Sequence, residues 1–350
     1  MGKNEELPWD LFDRCILPVI FSHAAAVILS TILNTLYISQ VSTFTLFLWF
    51  VVCSLGAVFF YHNLKVTAAG KAILITDCNS KIGYALARQL DDLGFTVFAG
   101  FLSVDNGSSK KLKEESSGRL HALQLDVTSE NQMLAALDYV QENLPHEAAG
   151  LWAVVNSATW APFGEVEWLP FTVYRQAAEV NLFAVIRISQ IFLPLVRKTK
   201  GRIINIVSIL GRIASPLRSP YCVVKFGVEA FSDCLRLEMR RWGVDIVVIE
   251  PGDYTTGKTW ISNTELLSQA RHMWKSMSEE TRAEYGEDYF EQTVRSLETY
   301  TKGEETDMAP ILRCLTDAVC RTFPLSRYTA LTRAEKTTSV CVRSPATIRL

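Results

Sequence analysis

The 350-residue sequence has eight cysteines but no CxxC pair and no Cys/His cluster at zinc-ligand spacing. Cys15, Cys53, Cys78, Cys222, Cys234, Cys314, Cys320 and Cys341 are scattered along the chain. That pattern excludes a disulfide scaffold and a structural zinc site, so no metal is expected. It fits reduced thiols in a cytosol-like compartment. Neither sign of charge is in surplus: 35 Lys and Arg stand against 37 Asp and Glu, for a net charge of −2. A nucleic-acid partner, which calls for a basic stripe, is thereby excluded.

Charge is most conspicuously missing from 15 to 61, where His23 is the only Asp, Glu, Lys, Arg or His. Two apolar runs, 16–36 and 41–61, each reach the ~20 residues that cross a bilayer as a helix. Pro18 and the polar Ser30, Thr31, Asn34 and Thr35 interrupt the first run. A cleaved signal peptide does not fit, because the region is too long and is preceded by the acidic NEELPWDLFD. The start MGKNEE lacks the Ser or Thr of a myristoylation signal. Residues 1–65 are therefore expected to anchor the chain in a membrane. Lys3 and Arg14 precede the runs, His62, Lys65 and Lys71 follow them, and the connector 37–40 is uncharged. With two spans, the positive-inside bias puts both ends on the cytosolic side.

From 66 to 336 the pattern changes. Short apolar segments at 72–76, 96–100, 120–126, 153–156, 201–207 and 245–250 alternate with helical spacing at 83–94, 110–115, 131–144, 170–198 and 221–241. Continuous apolar strands between helices predict an α/β fold, a doubly wound, Rossmann-like parallel sheet covered on both faces. Residues 258–305 are charged, helix-prone and strandless, and read as an insertion on the substrate side. Residues 337–350 read as a flexible tail. In such sheets ligands bind beyond the carboxyl ends of the strands. The loops after Thr76, Asp126, Asn156, Val207 and Glu250 sit there.

The chemistry is concentrated in NIVSILGRIASPLRSPYCVVKFGVEAFSD. Tyr221 and Lys225, four apart, share a helix face. Ser208 ends an apolar strand thirteen residues before Tyr221. A phenol with an unperturbed pKa near ~10 exchanges protons poorly at neutral pH, and a neighbouring ammonium lowers it. Ser208 can bond a substrate oxygen while Tyr221 gives or takes its proton.

These motifs, with IEPGDYTT, EYGEDYFEQ and FPLSRY, resemble the short-chain dehydrogenase/reductase family from about Lys71 to Tyr328. The similarity is to its branch of membrane hydroxysteroid, retinol and 3-hydroxybutyrate dehydrogenases. The resemblance implies that Asn181, in EVNLFAVI, completes a tetrad with Ser208, Tyr221 and Lys225 by holding a water. It implies a cofactor loop of Thr76, Asp77, Ser80, Lys81, Ile82 and Gly83. It also implies contacts from Asn156, from Asp126 and Val127 at the adenine end, and from Pro251, Gly252 and Thr256 at the nicotinamide, with Tyr221 and Lys225 at its ribose. The bland alternatives are a backbone-bonded Asn181, a helix N-cap at Asp126 and a turn threonine at Thr256.

The chain departs from the family in the cofactor half. Thr-Gly-x-x-x-Gly-x-Gly reads Thr76-Asp77-Cys78-Asn79-Ser80-Lys81-Ile82-Gly83, Asn-Asn-Ala-Gly reads Asn156-Ser157-Ala158-Thr159, and Tyr-x-x-Ser-Lys reads Tyr221-Cys222-Val223-Val224-Lys225. Either Asp77 adopts glycine's left-handed backbone and Lys81 offers charge to phosphate, or the loop is closed. The expected cofactor is NAD or NADP. Resemblance favours NAD, whereas Lys81 turned toward the ribose would favour NADP. The expected function is a membrane-bound alcohol dehydrogenase/ketone reductase with a lipophilic, steroid-like or retinoid-like substrate. Its membrane would be the endoplasmic reticulum, with the mitochondrial membrane as alternative; a homo-oligomer stays open. The rival is a non-catalytic membrane-bound scaffold. Trp160, Phe163, Trp260 and Met273 would line an apolar mouth or pack in the core.

Overall fold

A computed structural model describes residues 9–252, 262–302 and 307–330. The predicted Thr256 and Trp260 and the tail 337–350 lie outside the described residues. The chain divides into two compact units, Met1–Val66 with Cys320–Phe323, and Thr67–Val319 with Pro324–Leu350.

The first unit holds two long apolar helices, α1 (Trp9–Thr35) and α2 (Thr43–Asn63). Pro18 lies inside α1 without ending it, and the Ser22 hydroxyl donates to its carbonyl at 2.7 Å. Hydroxyls pair between the helices, Ser22 with Ser54 at 3.1 Å and Ser30 with Thr43 at 2.8 Å. His23 meets the Phe47 ring edge-on at 5.7 Å. Large apolar side chains such as Phe21, Phe44, Trp49 and Phe60 remain exposed. Hydroxyls satisfied within a hairpin, with an apolar exterior, suit a hydrocarbon surrounding.

The second unit is an α/β fold around seven parallel strands in the order β3-β2-β1-β4-β5-β6-β7. In chain order its elements begin with β1 (Ala72–Ile75), α3 (Lys81–Asp92), β2 (Thr96–Phe101), α4 (Gly107–Glu114), β3 (Leu120–Gln124), α5 (Glu130–Glu142) and β4 (Leu151–Asn156). There follow α6 (Phe171–Ala178), α7 (Ala184–Thr199), β5 (Arg202–Ile206), α8 (Ser219–Met239), β6 (Asp245–Pro251), α9 (Asn263–Ser276), α10 (Glu279–Tyr285), α11 (Glu287–Lys302), α12 (Ala309–Cys320) and β7 (Arg327–Ala330). All six predicted strand segments are strands, and their continuous apolar runs are buried, as helices on both faces require. On one face Leu74, Phe98, Val154 and Ile203 pack with Met133 and Val140 of α5 and Ile188, Phe192 and Leu195 of α7. Each such fully buried side chain contributes about 1.5–3 kcal/mol relative to an exposed one.

The helix expected over 170–198 runs unbroken through α6 and α7, by way of a π turn, Glu179–Phe183, that carries Asn181. A π turn takes one extra residue into the helical register, and such bulges recur at functional sites. By length and hydropathy Phe171–Thr199 also qualifies as a membrane span, alongside Cys15–Thr35 and Thr43–Tyr61. Its Ile188 and Phe192 are buried against the sheet, which is where its apolar face is used. The insertion expected at 258–305 is helical where described, as α9 to α11. Leu266, Ala270 and Met273 of α9 close over Phe163, Trp168 and Phe290. Phe163 and Met273 are thus core residues of this layer, not the lining of a mouth.

Candidate active site

The order of strands reverses between β1 and β4, which pair with each other while their next connections run outward in opposite directions. Their carboxyl-end loops are laced together by Ser157. Asp77 N–H donates to Ser157 Oγ at 3.0 Å, the Ser157 hydroxyl donates to Asp77 O at 3.2 Å, and Ser157 N–H donates to Thr76 Oγ1 at 3.0 Å. Gly83, in the first turn of α3, lets the chain fold this tightly: a Cβ there would stand 1.8 Å from the Asp77 carbonyl oxygen. Ser80 caps α3, accepting from Gly83 N–H at 3.2 Å. Ile82 is half-buried and Lys81, the first residue of α3, is exposed.

Asp77 does not stand in for glycine by left-handed backbone. The non-glycine residues with positive φ among those described are Tyr37, Lys200 and Leu217. Instead its carboxylate closes a local turn, accepting from Asn79 N–H at 2.9 Å and Asn79 Nδ2 at 3.3 Å, and Asn106 Nδ2 in turn donates to Asn79 Oδ1 at 2.9 Å. Burial pushes the Asp77 carboxyl up from the usual range, and the bonds from Asn79 and Ser80 pull against it.

Asp126 is not an N-cap either; Ser129 caps α5. Asp126 Oδ1 accepts from Thr128 N–H at 2.8 Å and the Thr128 hydroxyl at 2.7 Å, beside the buried Val127. Asn156 was expected at the cofactor, yet its amide is buried and donates to Asn205 Oδ1 at 2.8 Å, and Asn205 donates on to Ser232 Oγ at 2.8 Å. Pro251 ends β6, and Gly252 N–H donates to Ala330 O at 3.1 Å.

The predicted proton-transfer residues do converge. Ser208 follows β5, and its Oγ accepts from Leu210 N–H at 3.1 Å. Tyr221, half-buried in the first turn of α8, has the Ser208 and Thr159 hydroxyls among the groups that favour its phenolate. Thr159 was noted only as a departure from glycine, not as a member of the site. Lys225, one turn on, is 2% exposed; its Nζ donates to Ile206 O at 3.1 Å and lies 5.3 Å from the centre of the Tyr221 ring. Burial lowers this amine to about 7. Burial pushes Tyr221 up, and what opposes it is bonding from Thr159 and Ser208 and the charge of Arg218.

Asn181 is completely buried and spends its amide on the loop after β4. Its Oδ1 accepts from the Thr159 hydroxyl at 2.9 Å and Trp160 N–H at 3.1 Å, and its Nδ2 donates to Trp160 O at 2.7 Å and Ala177 O at 3.1 Å. Trp160 is held by its backbone in this clasp.

Beneath the site lies an ionic cluster absent from the sequence expectations. Glu250, fully buried and next to Pro251, pairs with Arg212 at 3.2 Å and with Arg327. Arg327 also pairs with Glu229 of α8 at 2.7 Å. Acidic residues inside an apolar strand run and an apolar helix face were the available signal. A cavity of 650 Å³ is lined by Val166, Pro216, Leu217 and Ser219 together with Tyr285 and Tyr289. The two phenols donate to Glu167 at 2.8 Å and Glu165 at 2.7 Å.

A family model described as short chain dehydrogenase matches residues 71–266. The chain is 42% identical over 270 residues to a mouse mitochondrial D-beta-hydroxybutyrate dehydrogenase, covering 77% of this chain and 79% of that one. It is 37% identical to mouse retinol dehydrogenase 16, covering 74% and 80% respectively. Against rat estradiol 17-beta-dehydrogenase 2 it is 36% identical, covering 74% and 67%. A crystal structure of a short-chain dehydrogenase from Streptomyces avermitilis shares the fold at a TM-score of 0.62 and 20% identity, covering 79% of this chain and 93% of that one.

Proposed function

Because the chain belongs to the short-chain dehydrogenase family, we propose that it is a membrane-anchored oxidoreductase acting on an apolar alcohol or ketone, steroid-like or retinoid-like, with NAD or NADP. The carrying observation is the convergence of Ser208, Tyr221, Lys225 and Asn181 at the carboxyl edge of the sheet, beside the β1/β4 reversal.

The residues at that reversal fit a dinucleotide. α3 starts at the carboxyl end of β1 with the cation Lys81, its Gly83 N–H is taken by Ser80 Oγ, and the Asp77 carboxylate is engaged by Asn79. The bound nicotinamide supplies or accepts hydride. Ser208 orients the substrate oxygen, Tyr221 moves its proton, and Lys225 holds the ribose and tunes the phenol. Leu102, Ser103 and Val104 follow β2 with no cation, and Asp105 comes next, which supports the free ribose of NAD.

The cavity has room for a large substrate; its lining sets Val166, Pro216 and Leu217 beside Glu165, Glu167 and Ser215 and reaches Ser219, two residues before Tyr221. Its volume lies within the range of small-molecule sites, and its tyrosine hydroxyls are already satisfied. A short hydroxy acid is the second reading. It is favoured by the hydroxybutyrate dehydrogenases among the relatives and by the Arg218 charge near Tyr221. The membrane would be that of the endoplasmic reticulum, with the enzymatic part cytosolic. Protease added to intact microsomes should digest it, and protection would refute this orientation.

The deciding experiment titrates detergent-solubilised full-length protein with NADH and NADPH by fluorescence, then screens retinoid, steroid and short hydroxy-acid alcohols for turnover. Binding of neither nucleotide would leave the non-catalytic scaffold as the better reading.

A further inference from the structure

The first compact unit takes in a piece of chain from far along the sequence, Cys320–Phe323. Backbone bonds fix it beside the end of α2. Val66 N–H donates to Cys320 O at 2.8 Å and Thr322 N–H donates to Leu64 O at 2.9 Å. Between these bonds Lys65 and Arg321 form an antiparallel bridge. The pairing sets the Phe323 ring edge-on against Tyr61, with centres 5.6 Å apart, and Tyr61 meets Phe60 edge-on at 5.6 Å. Phe60, Tyr61 and Phe323 are each more than half exposed, and Leu64 is exposed as well.

Length fixes the depth of this cluster. The apolar stretch Thr43–Tyr61 of α2 has 19 residues. At ~1.5 Å per residue it is roughly 28 Å long, close to the ~30 Å of a hydrocarbon core. Tyr61 therefore marks the edge of that core, where a tyrosine keeps its ring in acyl chains and its hydroxyl in water. The headgroup layer beyond the edge is about 5–7 Å thick on each side. A ring centred 5.6 Å from Tyr61 falls inside that layer. Lys65, exposed and just past Tyr61, stands where a cation reaches the headgroups.

We propose that Cys320–Phe323 is a second point of membrane contact, with Phe323 inserted beside Phe60 and Tyr61 at the boundary between acyl chains and headgroups. Facing water, these rings and Leu64 would form a continuous uncovered apolar patch. Facing lipid, they complete an aromatic belt at the end of α2. The sequence then meets the bilayer twice, before its dehydrogenase fold and again directly after α12.

The proposal rests on the membrane-anchor reading of α2, and its test separates the two. Full-length protein in phosphatidylcholine nanodiscs carries trifluoromethyl-phenylalanine in place of Trp49, Tyr61 or Phe323, one site at a time, and the fluorine signal is followed by NMR. Three paramagnetic probes are compared: a lipid nitroxide near the headgroup, a lipid nitroxide at the chain end, and a gadolinium chelate in the water. The label at Trp49, inside the apolar stretch, should broaden most with the chain-end nitroxide. The labels at Tyr61 and Phe323 should broaden at least about threefold more with the headgroup nitroxide than with the chain-end one. A Phe323 label that responds to the chelate and not to the headgroup nitroxide, while Trp49 and Tyr61 labels respond to lipid, would overturn the proposal and leave the anchor standing. No response to either nitroxide at Trp49 would refute the anchor reading, and this contact with it.

Discussion

Lys225 Nζ is one helical turn from Tyr221 yet gives its hydrogen bond to Ile206 O, 3.1 Å away, at the end of β5. The amine is therefore held by the sheet, in a place where burial disfavours its charge.

That placement sets a pH dependence of stability. The folded amine titrates at about 7 against an ordinary 10.5, so between these values the unfolded chain binds the extra proton. Stability from this group is fully present above the unfolded value and is lost as pH falls toward about 7. The melting temperature of the parent relative to Lys225→Met should rise from pH 7 to 10. A flat difference would mean that the amine is not buried as described.

Tyr221→Phe removes a proton donor but almost no contact area. Turnover should drop about 10²–10⁴-fold while nucleotide affinity stays within a factor of about two. Substantial residual kcat would show that the proton relay runs through another group.

Glu250 balances two arginines while fully buried, and removing its charge leaves Arg212 and Arg327 under-compensated. Glu250→Gln should cost about 3 kcal/mol, lowering Tm by about 5 °C. Asp233→Asn, on the exposed rim of the same cluster, should cost less than ~0.5 kcal/mol. Equal effects of the two changes would contradict a buried core to the cluster.

Lys81→Ala should weaken nucleotide binding roughly tenfold by removing charge at the α3 N-terminus. Asp77→Gly combined with Lys81→Gly rebuilds the family loop and should bind at least as tightly as the parent. If only the double glycine protein binds, the parent loop is closed. Tighter binding by Lys81→Ala than by the parent would show that Lys81 obstructs.

The strands were legible because burial on both faces leaves an uninterrupted apolar run, as in AILI and VVIE. β7, RYTA, has no such run and owes its place to pairing with β6 and to the Arg327 pairs. The Ser208, Tyr221 and Lys225 spacing was legible because a strand end and one helical turn fix it. The contributions of Thr159 and Ser157 were not, because a loop hydroxyl's partners depend on where distant loops meet. Asp77 was misread for a related reason: a carboxylate can shape a turn by accepting from Asn79 while its backbone stays in ordinary conformations. Phe163 and Met273 show the same limit, since an aromatic or methionine beside a cleft has the same sequence signature whether it lines the opening or fills the layer behind.

The final strand has a consequence for how the chain is made. β6 is a run of isoleucine and valine whose outer edge, among the described residues, is covered by its pairing with β7. Until ribosomal synthesis passes Ala330, that edge offers unpaired amides and carbonyls beside β-branched side chains, the combination that recruits strands from other molecules. A chain terminated before Arg327 would also leave Glu250 without one of its cations. Such a product should sediment as aggregate even though Ser208, Tyr221 and Lys225 are all present, so a premature stop this late would act through solubility, not chemistry.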